Sequence, residues 1–196
     1  MCIDLVAERK FPAMTTDTLT TKDANKTRLH RGARDGRYER IARGIYRTAD
    51  AEPADLDMIK AAARRPDATI CLISALAHHE LTDEIPSSLD IAIPRGSWIP
   101  ATEGAITWHL FDKATFDLGR DAIDIPGTDA LQIGLYSPER CIADAYRLRG
   151  KLGYEIATQA LRTWLNRGGM PSDLMRIANQ LPRVKAPLLQ ALTALT

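Results

Sequence analysis

Lys26-Thr-Arg-Leu-His-Arg-Gly-Ala-Arg-Asp-Gly-Arg-Tyr-Glu-Arg-Ile-Ala-Arg-Gly-Ile-Tyr-Arg47 places an arginine at every third position from Arg28 to Arg43, six in all. From Lys22 to Arg47 nine Lys or Arg stand against three acids, Asp23, Asp35 and Glu39, a net +6. The whole chain of 196 residues carries only +1, so everything outside this segment sums to −5. A local surplus of that size in a near-neutral chain is the footprint of a phosphate-binding patch.

The stretch divides at Asp35-Gly36. Asn25 is placed to cap a helix from Lys26 to Asp35, its side-chain oxygen accepting from the first-turn N–H groups, and Gly36 supplies a left-handed stop. On that helix Leu29, Gly32 and Ala33 share one side for docking, while Thr27, His30, Arg31 and Arg34 form a polar, cationic side. Gly32 costs helix propensity and allows another helix to approach closely. Downstream, Gly44 between β-prone residues makes Tyr38 to Arg47 a tight hairpin. Upstream, Thr16 to Lys22 reads as another helix and Met1 to Arg9 as a first one cut short. Three helices and a hairpin in this order predict a winged helix-turn-helix over residues 1–50, with the last helix in the major groove and the wing's cations on phosphates. The expected DNA-binding set is Lys26, Thr27, Arg28, His30, Arg31, Arg34, Arg37, Arg40, Arg43 and Arg47.

Asp50-Ala-Glu-Pro-Ala-Asp55 breaks the pattern and reads as the join to a second region, 51–196. There Leu56–Arg65 predicts a helix ended by Pro66; Ala68–Ile73 is β-prone, and Ser74 is read as the cap of a helix over Ala75–Leu81. Strands are expected at Leu89–Ile93, Ile106–Phe111, Ala122–Ile125 and Leu131–Leu135. From Ser137 onward helices are expected: one opened by Ser137-Pro138-Glu139, one over Tyr154–Asn166, and shorter ones at Ser172–Gln180 and Leu188–Leu195. The fold class is therefore α+β, a winged helix-turn-helix followed by a mixed α/β domain ending in a helical bundle. The longest weakly polar run, Ala68 to Ala77, is about half a bilayer span, and Asp4 and Glu8 break any signal-peptide pattern. Three cysteines, Cys2, Cys71 and Cys141, include no Cys-x-x-Cys pair, which suits a reducing cytoplasm.

Catalytic signals are poor. His78 and His79 are adjacent, so on a helix they diverge where a zinc-protease pair would stand four apart. Asp90-Ile-Ala-Ile-Pro-Arg95 lacks the second carboxylate and the lysine that a metal-dependent nuclease strand needs. Cys141 and His109 could form a nucleophile and base, but nothing local separates them from a core thiol and a strand histidine. No phosphate-loop or dinucleotide glycine pattern occurs, and Arg140 and Asp144, four apart, read as a pair stabilising their helix by a few tenths of a kcal/mol. No catalytic activity, metal or cofactor is expected.

Asn25 to Tyr46 as quoted resembles the recognition helix and wing of the AbiEi family, antitoxins of type IV (abortive-infection) toxin–antitoxin systems. The second region is similar to the same family at Ile73-Ser-Ala-Leu76, at Tyr136-Ser-Pro-Glu-Arg140 with Asp144, and at Lys151-Leu-Gly153 leading to Ala157, Ala160-Leu161 and Trp164-Leu165. The resemblance implies a winged helix that binds inverted repeats in its own promoter, a C-terminal antitoxin domain, and a nucleotidyltransferase-like toxin as partner. It also implies that Thr27, Arg31 and Arg34 face bases or their flanking phosphates and that Arg40 and Arg43 are wing contacts. Two-fold operators imply two copies on DNA. Two rivals stay open: an antitoxin that works through protein contact without specific DNA binding, and a nucleic-acid-processing enzyme tethered by its basic domain.

Overall fold

In the computed structural model, which describes residues 17–21, 24–101, 104–128 and 131–195, the basic stretch folds as one helix and two strands joined by a third from upstream. α1 (Lys26–Arg34) is capped as expected, Asn25 Oδ1 accepting from the Thr27 N–H at 2.9 Å. β2 (Tyr38–Ala42) and β3 (Ile45–Thr48) form an antiparallel hairpin around Arg43-Gly44, with Gly44 at φ +79° and a bulge between Arg40 and Ala42. Thr18–Thr20 is a strand, β1, and not part of the helix predicted over Thr16–Lys22. It pairs antiparallel with β3, Leu19 opposite Tyr46, in a sheet ordered β1-β3-β2. Thr18 and Thr20 are β-branched, and the partner strand decides their conformation. The helix predicted over Met1–Arg9 lies outside the described residues.

Leu29 of α1 is fully buried against Leu19 and Tyr46, with Ala33 and Tyr38 at the margin of this small core. Gly32 is needed for a reason other than the one its sequence suggests. A Cβ there would stand 2.3 Å from the Tyr38 ring, so the glycine admits an aromatic side chain from β2 and not a second helix.

The second region opens with α2 (Leu56–Arg64), where Asp55 Oδ1 accepts from the Asp57 and Met58 N–H groups. β4 (Thr69–Ile70) and α3 (Leu72–His78) follow. Ser74 does not cap a helix at Ala75: α3 begins earlier, and buried Ser74 accepts from the Asp90 N–H at 2.8 Å. β5 (Leu89–Pro94), β6 (Ile106–Phe111), β7 (Arg120–Asp124) and β8 (Gln132–Tyr136) join β4 in a mixed sheet ordered β6-β5-β4-β8-β7. α4 (Pro138–Arg147), α5 (Arg149–Leu152), α6 (Tyr154–Asn166), α7 (Pro171–Ala178) and α8 (Lys185–Leu195) complete the chain. The fold is α+β: among the described residues, eight helices, a three-stranded antiparallel sheet and a five-stranded mixed sheet, ending in helices. No helix among them is long and apolar enough to cross a membrane.

The hairpin is not separate from this second region. Ala42 and Ile45 belong to the same buried cluster as Ile59, Ala62, Ile91 and Leu161. Because side chains alternate along β3, Tyr46 meets α1 while Ile45 and Arg47 fall on the opposite face. That face packs on the second region. Arg47 donates to the carbonyls of Glu52 and Gly127, and Arg64 Nη2 donates to the Arg43 carbonyl at 2.9 Å.

Candidate nucleic-acid interface

Burial of Leu29 and Gly32 and half-burial of Ala33 fix how α1 is turned, leaving Lys26, Thr27, Arg28, His30, Arg31 and Arg34 exposed. At about 100° per residue, Thr27, Arg31 and Arg34 cluster opposite the buried stripe and form an outer row. Lys26 and His30 lie on the flank beside Ala33, and Arg28 lies on the other flank. The macrodipole favours Arg31 and Arg34 in the last turn. Arg37 is exposed and 3.3 Å from the exposed Asp35, a pair worth little in water.

On the hairpin, Arg40 and Arg43 are exposed, and the Arg40 Nε–H reaches the Ala42 carbonyl at 3.4 Å. Arg47 does not join them. It is only 6% exposed, and its guanidinium is occupied by the Glu52 and Gly127 carbonyls between the linker and the β7–β8 turn. The structure therefore removes it from the expected contact surface and makes it a tie between the two regions.

Between α1, the hairpin and α2 lies a pocket of about 400 Å³ walled by Lys26, His30, Arg40, Arg43, Tyr46 and Arg64, with Thr21 and Gly44 completing it. Buried Tyr46 holds His30: its hydroxyl is 3.3 Å from Nε2, and the rings meet edge to face at 5.8 Å. Arg64 was missed from sequence. A lone arginine in the last turn of a helix reads as a complement to the helix dipole, and only the fold brings it to the hairpin tip.

Other sequence candidates are occupied structurally. Asp90 Oδ1 lies 2.8 Å from His109 Nε2, and its second oxygen lies 3.4 Å from Ser74 Oγ. His79 Nε2 is 2.7 Å from the Tyr136 carbonyl, and burial followed by its neighbour His79 lowers the pKa of His78. Cys141 is buried with its thiol 3.3 Å from the Tyr136 carbonyl, and burial first, then Asp144, pushes that thiol well above its ordinary pKa. A nucleophilic cysteine requires the opposite shift. Among the described residues no group of three or more His, Cys, Asp or Glu could hold a metal ion.

Arg140 and Asp144 are more than a surface pair. Both are buried, with Arg140 Nε 2.8 Å from Asp144 Oδ2. Arg140 Nη1 donates to the Thr115 and Leu118 carbonyls at 2.6 and 2.7 Å, and the guanidinium lies 4.3 Å from the Tyr136 ring centre. Arg147 adds a second cation 2.8 Å from Asp144 Oδ1. This cluster fastens the β6–β7 connection to α4. No protein-family profile matches this chain, and no curated protein does.

Proposed function

We propose that the protein is a DNA-binding transcriptional autorepressor and antitoxin of the AbiEi kind, from a type IV toxin–antitoxin system. In this reading α1 is the recognition helix and β2–β3 the wing of a winged helix-turn-helix. The observation that carries it is the outer face of α1: Thr27, Arg31 and Arg34 project together from a helix whose other side is locked by Leu29 and Gly32. Among the described residues, no acid pairs with Arg31 or Arg34. Arginine forks guanine O6 and N7, and a helix of this width fits the major groove.

Two copies would occupy the inverted repeats of the protein's own promoter, with Lys26, Arg28, Arg37, Arg40 and Arg43 neutralising phosphates. The second region would counteract a nucleotidyltransferase-like toxin, directly or indirectly, in the cytoplasm. Neither role needs a metal, a cofactor or catalysis. The test is a duplex titration with Arg31→Ala/Arg34→Ala: the folded double variant should lose most of its affinity for the upstream DNA of its own gene. Unchanged affinity would reject this placement. The same variant should still protect cells expressing the toxin, because the second region is intact.

A further inference from the structure

The pocket between α1, the wing and α2 gathers four permanent cations, Lys26, Arg40, Arg43 and Arg64, together with His30. Nearby, this protein pairs its cations with carboxylates: Lys60 is 2.9 Å from Asp57, and Arg65 is 2.6 Å from Asp67. Among the described residues none of the four pocket cations is in an ion pair, and Arg64 Nε is buried with no hydrogen-bond partner. Like charges in a concave site repel and are poorly screened; an anion seated there reverses the sign of that interaction.

We infer that this pocket seats the duplex backbone, gripped from three elements at once, and that Arg64 of the second region contacts one of its phosphodiesters. The inference rests on the DNA-binding reading above. Its geometry follows from the turn of α1. A helix about 10–12 Å across in a major groove about 12 Å wide has its outer row on the bases and its flanks against the groove walls, which are phosphate. Lys26 and His30 are on the flank that meets the wing, and the wall at that point is where Arg40, Arg43 and Arg64 converge. Arg64 has a second role there, since its Nη2 holds the Arg43 carbonyl at 2.9 Å and so sets the wing tip against α2.

The test is an anisotropy titration of the full-length protein on its upstream duplex and on a scrambled duplex over a series of salt concentrations, comparing wild type with Arg64→Gln and Arg64→Lys. Removing one phosphate contact lowers the slope of log affinity against log salt by about 0.9, which at about 0.1 M salt is roughly an eightfold loss. Arg64→Gln should show both, equally on the two duplexes, because a phosphate contact carries no base information. Arg64→Lys should restore the slope, and circular dichroism melting should place both variants near wild type. A folded Arg64→Gln with wild-type slope and affinity would overturn the phosphate seat and leave the DNA-binding reading standing. Wild type that binds neither duplex would overturn both. A third arm adds inorganic phosphate at constant ionic strength and follows the His30 ring protons by NMR. If Arg64→Gln abolishes a phosphate-induced shift of that ring while its duplex titration stays wild type, the pocket belongs to a free phosphate and the duplex assignment falls.

Discussion

Arg47→Met separates a cation that holds the protein together from one that would hold DNA in the proposed reading. Arg47 is 6% exposed and bonds two carbonyls, Glu52 in the linker and Gly127 in the turn before β8. Hydrogen bonds from a charged donor contribute about 1.5–3 kcal/mol each in net terms. Methionine keeps the stem's packing and removes a buried charge, which offsets part of that loss, so about 2–4 kcal/mol of destabilisation is expected. In a chain of this size the melting temperature should fall by about 5–15 °C. Urea unfolding gives the free energy, and an anisotropy titration on folded protein gives the salt slope. The variant should be less stable with an unchanged slope. A variant as stable as wild type whose slope falls by about 0.9 would show that Arg47 is a phosphate contact and that its buried position is misassigned.

Arg140→Ala takes from buried Asp144 its fully buried cation, leaving it Arg147 alone, and orphans two carbonyls, so unfolding should become easier by about 3–5 kcal/mol; a loss under about 1 kcal/mol in urea would contradict the cluster. Gly32→Ala gains about 1 kcal/mol of helix propensity but sets a methyl against the Tyr38 ring, an overpacking that costs about 1–3 kcal/mol and should win; a raised melting temperature would show that Tyr38 yields freely. Arg31→Ala/Arg34→Ala should lose about 2–6 kcal/mol of affinity for the upstream duplex and little on a scrambled one, measured by competition titration. Burial holds the Cys71 and Cys141 thiols well above their ordinary pKa, so the folded state keeps protons that the unfolded chain releases. Stability should therefore be intact below about pH 8.5 and fall above it, by at most about 2.7 kcal/mol per pH unit for the two thiols; a flat urea midpoint from pH 8 to pH 10 would contradict this.

Much of the fold was legible because it is local. Asn25 caps α1, Ser137-Pro138 opens α4, and α6 runs from Tyr154 to Asn166 as its apolar spacing predicts. Four of the five strands of the later sheet stand within three residues of their expected ends. What was not legible depends on distant partners. Thr18–Thr20 is a strand because β3 lies beside it, and Ser74 looks like a cap until Asp90 arrives from sixteen residues on to take its hydroxyl. Arg47 was within reach of sequence reasoning: it shares its parity with Ile45, and a strand face that buries Ile45 buries Arg47 too. Arg64 was not, since nothing near it in sequence says that the β2–β3 hairpin will fold back onto α2. The Arg140–Asp144 spacing was visible, but its burial and its two loop carbonyls come from β6 and β7.

The most direct test of sequence-specific DNA binding is the anisotropy titration of wild-type protein on the duplex upstream of its own gene, against a scrambled duplex of the same length, at low and moderate salt. Tighter binding to the native duplex that survives the moderate salt is the expected result. Equal, salt-labile binding to both would contradict the repressor reading, leaving α1 and the β2–β3 hairpin as a basic patch.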